Sequence, residues 1–472
     1  MEATTLAFSA SPFVLPTQPN RPAFNSRRPA TRVATKMIRQ SVKTPAAPPG
    51  EQLAITPNNF IAQTLRAAIA DGTLCSASPV AIFYDLQVLR HNARALRAAF
   101  PDNTLHAFAL KAAPFPRLLE YFKEEGIGAE CASVVELACS EAAGIPSENV
   151  IFDSPAKTNE QLMYALKRGF HVNADSISEL KAIAVLRDEC QSTSTIGLRV
   201  NPQLGSATIA ETFTASKACK FGEGLREKRD DIIAAFERYP FVSCVHVHVG
   251  SQGCAVDVIA DGAKAAAELA DDVNSRVGSK QVHTIDIGGG LSVDYFSDVA
   301  CDFDTLPRLL RERCDGLFKY RLMTEFGRHM SAKTAFMAAQ VTALKQSGGK
   351  TYVICQVGAD VLMRPVYQPE KWAHRLETYD HAGQLKQSRS AVVEVGGPLC
   401  FAGDIIARDR ELVMPTVGDW LVVRDAGAYT LSMHMRHTSQ LAPPVFGVER
   451  DGSRCLLKRG ETIEDSVRFW SA

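Results

Sequence analysis

No apolar run in the sequence approaches the roughly 18 residues that a membrane-spanning helix requires. Net charge is missing too. The 52 basic side chains balance 52 acidic ones, and a neutral chain has no electrostatic footprint for a nucleic-acid backbone. None of the twelve cysteines stands in a CxxC pair or at a Cys/His metal spacing. Their irregular scatter argues against a disulfide framework and against a zinc site, and no metal is expected. Most are expected to be small buried apolar residues. Acids are nearly absent from one end: residues 1–50 hold only Glu2, against Arg21, Arg27, Arg28, Arg32, Lys36, Arg39 and Lys43. That stretch is rich in Ser, Thr, Ala and Pro and lacks the apolar core of a secretory signal. Its composition predicts an organelle transit peptide, with the plastid as first destination and the mitochondrion as second.

What is present is ordinary for a globular protein, with 46% hydrophobic and 22% charged residues. At 472 residues the chain exceeds one average domain. From about residue 105, short strand-like runs alternate with amphipathic stretches: "LHAFAL", "GIGAEC", "VIFD", "HVNAD", "IGLRV", "CVHVHV", "TIDIG" and "RLMTEF". Eight such alternations predict an α/β fold, a (β/α)8 barrel in preference to an open doubly wound sheet. Beyond about residue 330 the pattern changes to short β-type runs such as "KTYVICQVG", "RSAVVEVGG" and "DWLVVRDAG". The expected division is a leader at 1–50, an N-terminal segment at 51–85, a barrel at 86–330 and a mostly-β domain at 331–472. The strand "PVAIFYD" at 79–85 is expected to join that last domain.

Barrels of this kind carry their chemistry where strands end. In "CVHVHVGSQG", at 244–253, His246 and His248 share one face of a period-two strand while Val245, Val247 and Val249 take the other. The remaining strand ends bear Lys111, Glu130, Arg199, the triplet Gly288-Gly289-Gly290, and "EFGR" from Glu325 to Arg328. Glycine-rich turns beside an arginine let backbone N–H groups approach phosphate oxygens. A lysine buried at a strand end is a candidate Schiff-base former. Lysine, phosphate cradle, acid and histidine around one barrel mouth together point to pyridoxal 5'-phosphate.

Six ordered motifs carry a resemblance: "FALKA", "HVHVGSQ", "DIGGGLSVDY", "EFGR", "GGPLCFAGD" and "RDAGAYTLSM". The sequence resembles the alanine-racemase-like, fold type III pyridoxal-phosphate decarboxylases. "LMRPVY" and "KRGETIEDSV" lean towards diaminopimelate over ornithine decarboxylases. The resemblance implies a homodimer with shared active sites. Lys111 would hold the cofactor and His248 would stack on its ring, with His246 structural. Ser251, Gly289, Gly290 and Arg328 would bind the cofactor's phosphate, with Tyr429 adding a hydroxyl; Gly327 would also bind the cofactor, and Glu325 would pair with its ring nitrogen. Glu130, Glu136 and Arg199 match positions near the cofactor. Cys400 would act from the partner subunit as a proton donor. Arg328, Arg364, Tyr367, Phe401 and Tyr429 would meet the amino-acid substrate.

Three positions depart from the family pattern. Phe401 replaces an acidic residue that receives the substrate's distal amine, Tyr367 falls one place early, and Gln440 replaces an arginine. A phenyl ring cannot neutralise an ammonium as a carboxylate does. A decarboxylase for an amino acid with an apolar or uncharged side chain is therefore the alternative to diaminopimelate, followed by an ornithine or lysine decarboxylase. A racemase would need a tyrosine base opposite the lysine. A non-catalytic cofactor-binding protein would be a lone barrel.

Overall fold

The computed structural model describes residues 55–472; the leader expected at 1–50 lies outside them. The first strand, β1 (Val80–Asp85), runs into the helix Leu86–Ala99, and Asp85 caps that helix by accepting the N–H groups of Gln87 and Val88. Eight parallel strands then close into a barrel. They are β2 (Leu105–Ala109), β3 (Gly128–Cys131), β4 (Val150–Asp153), β5 (His171–Ala174), β6 (Ile196–Asn201), β8 (Val242–His246), β9 (Thr284–Asp286) and β10 (Arg321–Thr324). A two-residue strand, β7 (Glu223–Gly224), adds to the side of β6. Pairing of β10 with β2 (Met323 opposite Leu105) and of β5 with β6 completes the ring. All eight expected runs are barrel strands, so the fold class is the expected one.

Period two explains why these strands read as they do. Outward-facing Phe108, Val172, Leu198, Val245 and Ile285 belong to the main apolar core. Inward-facing residues form two layers. A plug of Leu105, Ala107, Ile151, Cys244 and Met323 fills one level of the lumen. Nearer the strand ends the inward positions turn polar: Glu130, Asp153, Asn173, Arg199, His246, Asp286 and Glu325 are all buried. Polar groups so buried require partners, and many find them close by: Arg199 donates to Asp153, Asn173 donates to Asp286, and Glu130 meets Lys111. Gly197 makes room for this layer, since a Cβ there would lie 2.2 Å from Asn173 Oδ1.

The connections are tightly capped. Ser133, Thr158 and Ser176 each accept an N–H from the first turn of the helix they precede. Glu136 and Glu179 reach back to the N–H groups of Ala132 and Asp175. Glu136, matched above to a site near the cofactor, therefore braces the loop after β3.

The second sheet comprises β1 with β11 (Ala335–Ser347), β12 (Lys350–Cys355), β13 (Leu376–Tyr379), β14 (Ser390–Gly396), β15 (Ile405–Val413), β16 (Trp420–Val423), β17 (Val445–Val448) and β18 (Arg454–Lys458). β1 lies between β11 and β17, antiparallel to the first and parallel to the second. The helix Asn58–Ala70 covers this region through Phe60, Ile61 and Leu65, which pack with Phe83, Phe336 and Trp420. β13, β15 and β17 are absent from the sequence reading. β15 hides its strand behind charges and a kink at Asp409, whose φ is +44°. Tyr84, on β1, donates its hydroxyl to the Gly427 carbonyl in the loop after β16 at 2.8 Å.

The cysteines depart from expectation. All twelve are free, but only Cys131, Cys244, Cys254 and Cys355 are buried, while seven are half-buried and Cys400 is exposed. A thiol is small and weakly polar enough to sit at a partly wet helix face, which composition does not reveal.

Candidate active site

At the floor of the barrel mouth, Lys111 follows β2 on a single turn of 3-10 helix, and its amine contacts the Glu130 carboxylate from β3. The side chain remains 39% exposed, so the mouth reaches it. Burial pulls the Lys111 amine down, but Glu130, Tyr429 and Glu325 outweigh it and the net shift is upward. Burial pushes the Glu130 carboxyl up to about 7, against the pull of Lys111.

Opposite stand Asp153, Arg199, His246 and Glu325. Arg199 donates to Asp153 at 2.7 Å, and His246 lies between Asp153 (3.6 Å) and Glu325 (3.7 Å). Neither His246 nitrogen has a hydrogen-bond partner, and neither has Glu325 Oε1. Burial drives the Glu325 carboxyl well above the usual range, and Asp286, Glu130 and Asp153 push the same way. Burial would raise Asp153 as well, but Arg199, His246 and Lys157 hold it low. The four carboxyl groups of Glu130, Asp153, Asp286 and Glu325 thus outnumber the cations that act on them, Lys111, Arg199 and Lys157, leaving the floor with an excess of acid.

His248 is not in the strand, which ends at His246; it opens the following loop. Its Nδ1 accepts the Gly289 N–H at 3.0 Å, which places the proton of the neutral ring on Nε2. Burial lowers the imidazole well below its ordinary range, with Arg199 and Lys111 adding to the effect. The glycine loop is tight: a Cβ on Gly289 would lie 2.4 Å from the Glu325 carbonyl, and one on Gly290 2.7 Å from that of Gly250. Ser251 follows Gly250, with its N–H on the Thr212 carbonyl. Gly327 packs against Ala109 and Ala112, where a Cβ would meet both methyls at 3.0 Å.

The wall beside this loop is basic and aromatic. Arg328 is buried and donates to the Tyr295 hydroxyl at 2.9 Å. Tyr429, in left-handed backbone with φ +55°, donates its N–H to the Ala112 carbonyl, next to Lys111. Its ring lies 4.3 Å from the Arg328 guanidinium carbon and 4.7 Å from that of Arg364. Arg328 Nε and Arg364 Nη1 are buried without partners. Burial, with Arg328 adding to it, lowers Arg364 to about 10.

The remaining candidates lie apart from the floor. Tyr367, three residues after Arg364, is exposed and stacks on Phe401 with ring centres 6.0 Å apart and planes 10° apart. His437 meets Phe401 edge-on at 5.7 Å. Cys400 is exposed beside them. Its loop is held by Asp404, whose carboxylate accepts the N–H groups of Leu399 and Ala359. Gln440 has no contact with this group among the described interactions.

Sequence reading missed Asp153, Asp286, Tyr295 and Trp372. Asp153 was findable, because it ends β4 by the same rule that singles out Glu130. Tyr295 closes the quoted glycine motif. Trp372 gives no sequence signal.

A group able to fill this mouth must satisfy an acidic floor, a glycine cradle with free backbone approach, and unpaired guanidinium donors. Pyridoxal phosphate fits: its protonated ring nitrogen answers the orphaned Glu325 oxygen, and its phosphate answers the glycines and Arg328. Residues 86–332 match the pyridoxal binding domain of the pyridoxal-dependent decarboxylases. The chain belongs to this family. It is a pyridoxal-phosphate enzyme, a carboxy-lyase with an amino-acid substrate. It is 30% identical over 406 residues to a probable chloroplastic diaminopimelate decarboxylase of Oryza sativa subsp. japonica, covering 83% of this chain and 79% of the rice protein. It is 29% identical to the diaminopimelate decarboxylase of Zymomonas mobilis over 80% of this chain and 88% of that one. In fold it is similar to the Helicobacter pylori diaminopimelate decarboxylase solved with L-lysine. The TM-score is 0.76 at 24% identity, covering 85% of this chain and 98% of that one.

Proposed function

We propose that this decarboxylase converts meso-diaminopimelate to L-lysine and CO2. The observation that carries the proposal is the pair Arg328 and Arg364. Two adjacent guanidiniums with buried, unpartnered donors and no carboxylate paired to them among the described residues form a receptor for anions. The cofactor phosphate takes one share of that receptor, and the substrate's distal carboxylate, on Arg364, the other.

The bound cofactor supplies an electron sink for the pair of electrons left when CO2 departs. Lys111 is the residue that holds it. Glu325 keeps its ring nitrogen protonated, a role suited to a carboxyl with an unused oxygen. His248, neutral and locked by the Gly289 N–H, covers the ring without adding charge. Gly289, Gly290, Ser251, Gly327, Arg328 and Tyr429 hold the phosphate, while Glu130 and Arg199 with Asp153 fix the floor. Cys400 of one subunit delivers its thiol proton to Cα in the partner's site. Its exposure in the single chain suits a residue that works across a dimer.

The stacked pair Phe401 and Tyr367 supports a second reading, a substrate with an uncharged distal group. Two aromatic faces provide no carboxylate for an ammonium. An amino-acid panel assayed for CO2 release, with diaminopimelate, lysine, ornithine, arginine and methionine, tests both. Turnover of diaminopimelate that collapses in Arg364→Ala supports the first; preference for methionine supports the second. Residues 1–50 are proposed to direct the enzyme to a plastid, and a reporter carrying them that stays in the cytosol refutes this.

A further inference from the structure

Arg328 and Arg364 pose a physical problem. They are close enough for one to depress the other's affinity for its proton, and no acid neutralises either among the described residues. Like charges brought together out of water cost free energy unless something compensates. The compensation visible here is aromatic. Trp372 is 7% exposed, and its ring lies 5.0 Å from the Arg328 guanidinium carbon and 4.4 Å from that of Arg364. Only Trp372 and Tyr429 are shared by both guanidiniums among the described residues. An aromatic face attracts a cation without consuming its N–H donors, so the donors stay available for an incoming anion. A carboxylate in the same place would neutralise the charge and occupy those donors. Trp372 is itself fixed: its indole N–H donates to Gln368 Oε1 at 3.1 Å, and its backbone N–H to the Gln368 carbonyl at 3.1 Å.

We propose that Trp372 is a positioning residue that holds Arg328 and Arg364 side by side, cationic and with free donors, so that with the cofactor phosphate on Arg328 the neighbouring Arg364 can receive the carboxylate at the far end of the substrate. It acts through the two arginines and touches no reacting atom. The proposal rests on the reading of those arginines as the anion receptor.

The test uses the holoenzyme and pimelate, a dicarboxylate without amines, followed by titration calorimetry. A cation–π contact at a desolvated site is worth about 1–2 kcal/mol, which converts to a loss of roughly tenfold in affinity. Trp372→Leu should weaken pimelate binding by about that factor, and its loss in kcat/KM should fall on KM. Trp372→Phe, which keeps an aromatic face, should recover most of the binding. Cofactor absorbance and the melting temperature verify that each variant is folded and loaded. Wild-type affinity in Trp372→Leu overturns the proposal, as does an equal loss in Trp372→Phe. Arg364→Ala separates the two levels of argument. If it binds pimelate as the wild type does, the arginine reading fails and this proposal falls with it. If it loses binding while Trp372→Leu keeps it, only the role of Trp372 fails.

Discussion

Substitution of Gly289 by alanine isolates the cradle from everything else in the site. The backbone φ of Gly289 is not in the left-handed region, so an alanine there meets no conformational penalty and the effect is purely steric. The added methyl would lie 2.4 Å from the Glu325 carbonyl oxygen and 3.1 Å from its carbon. Both are backbone atoms at the end of β10 and cannot rotate away, so the glycine loop must move. Overpacking of this kind costs about 1–3 kcal/mol. A shift of a few tenths of an ångström also strains the 3.0 Å bond from the Gly289 N–H to His248, adding about 0.5–1.5 kcal/mol. Expressed in cofactor affinity, a total near 3 kcal/mol is roughly a hundredfold. Equilibrium dialysis, with cofactor absorbance as the readout, measures it. Gly316→Ala is the control, because nothing lies within 4 Å of the added methyl and its φ is unrestricted; it should retain the cofactor. Wild-type affinity in Gly289→Ala would refute the claim that this glycine is needed for close approach.

Three further outcomes are expected. Borohydride should fix the cofactor on Lys111, and Lys111→Ala should form no reducible link; an adduct at another lysine counts against the assignment. Mixing Lys111→Ala with Cys400→Ala subunits should restore part of the activity if sites are shared, since one site of the mixed dimer then escapes both lesions; no recovery despite proven exchange refutes sharing. His106 is depressed to about 4 by burial, with Arg97 adding to the effect. A histidine whose folded pKa lies below its unfolded value stabilises the fold above pH 6.5 and loses that contribution as pH falls towards 4. His106→Gln should therefore reduce the drop in unfolding free energy between pH 7 and 4 by up to about 3 kcal/mol, read by urea denaturation at each pH. An unchanged drop would mean that the imidazole is solvated when charged.

Much of the architecture was legible along the chain, because barrel strands advertise themselves. Their outward positions must be apolar to bury against helices, and helical spacing returns between them. The strand-end rule then located Lys111, Glu130, Arg199, His248 and Glu325 from position alone. It also held the signal for Asp153. The second sheet was less legible, since β15 carries four consecutive charged residues, Arg408 to Glu411, and β17 is only four residues long.

The linear order of residues thus determined the barrel, its polar inner layer and the glycine loop, all of which follow from local periodicity and from the chemistry of single side chains. Closure decided the rest. Only pairing of β5 with β6 and of β10 with β2 places Asp153, His246 and Glu325 within 4.8 Å of one another. Only the packing of the second sheet brings Arg364, Trp372 and Tyr429 against Arg328, from segments separated by up to about a hundred residues. An electrostatic environment is a sum over neighbours in space. The raised Glu325, the lowered His248 and the arginine pair backed by aromatic faces in place of a carboxylate belong to the folded chain, and no segment of sequence carries them.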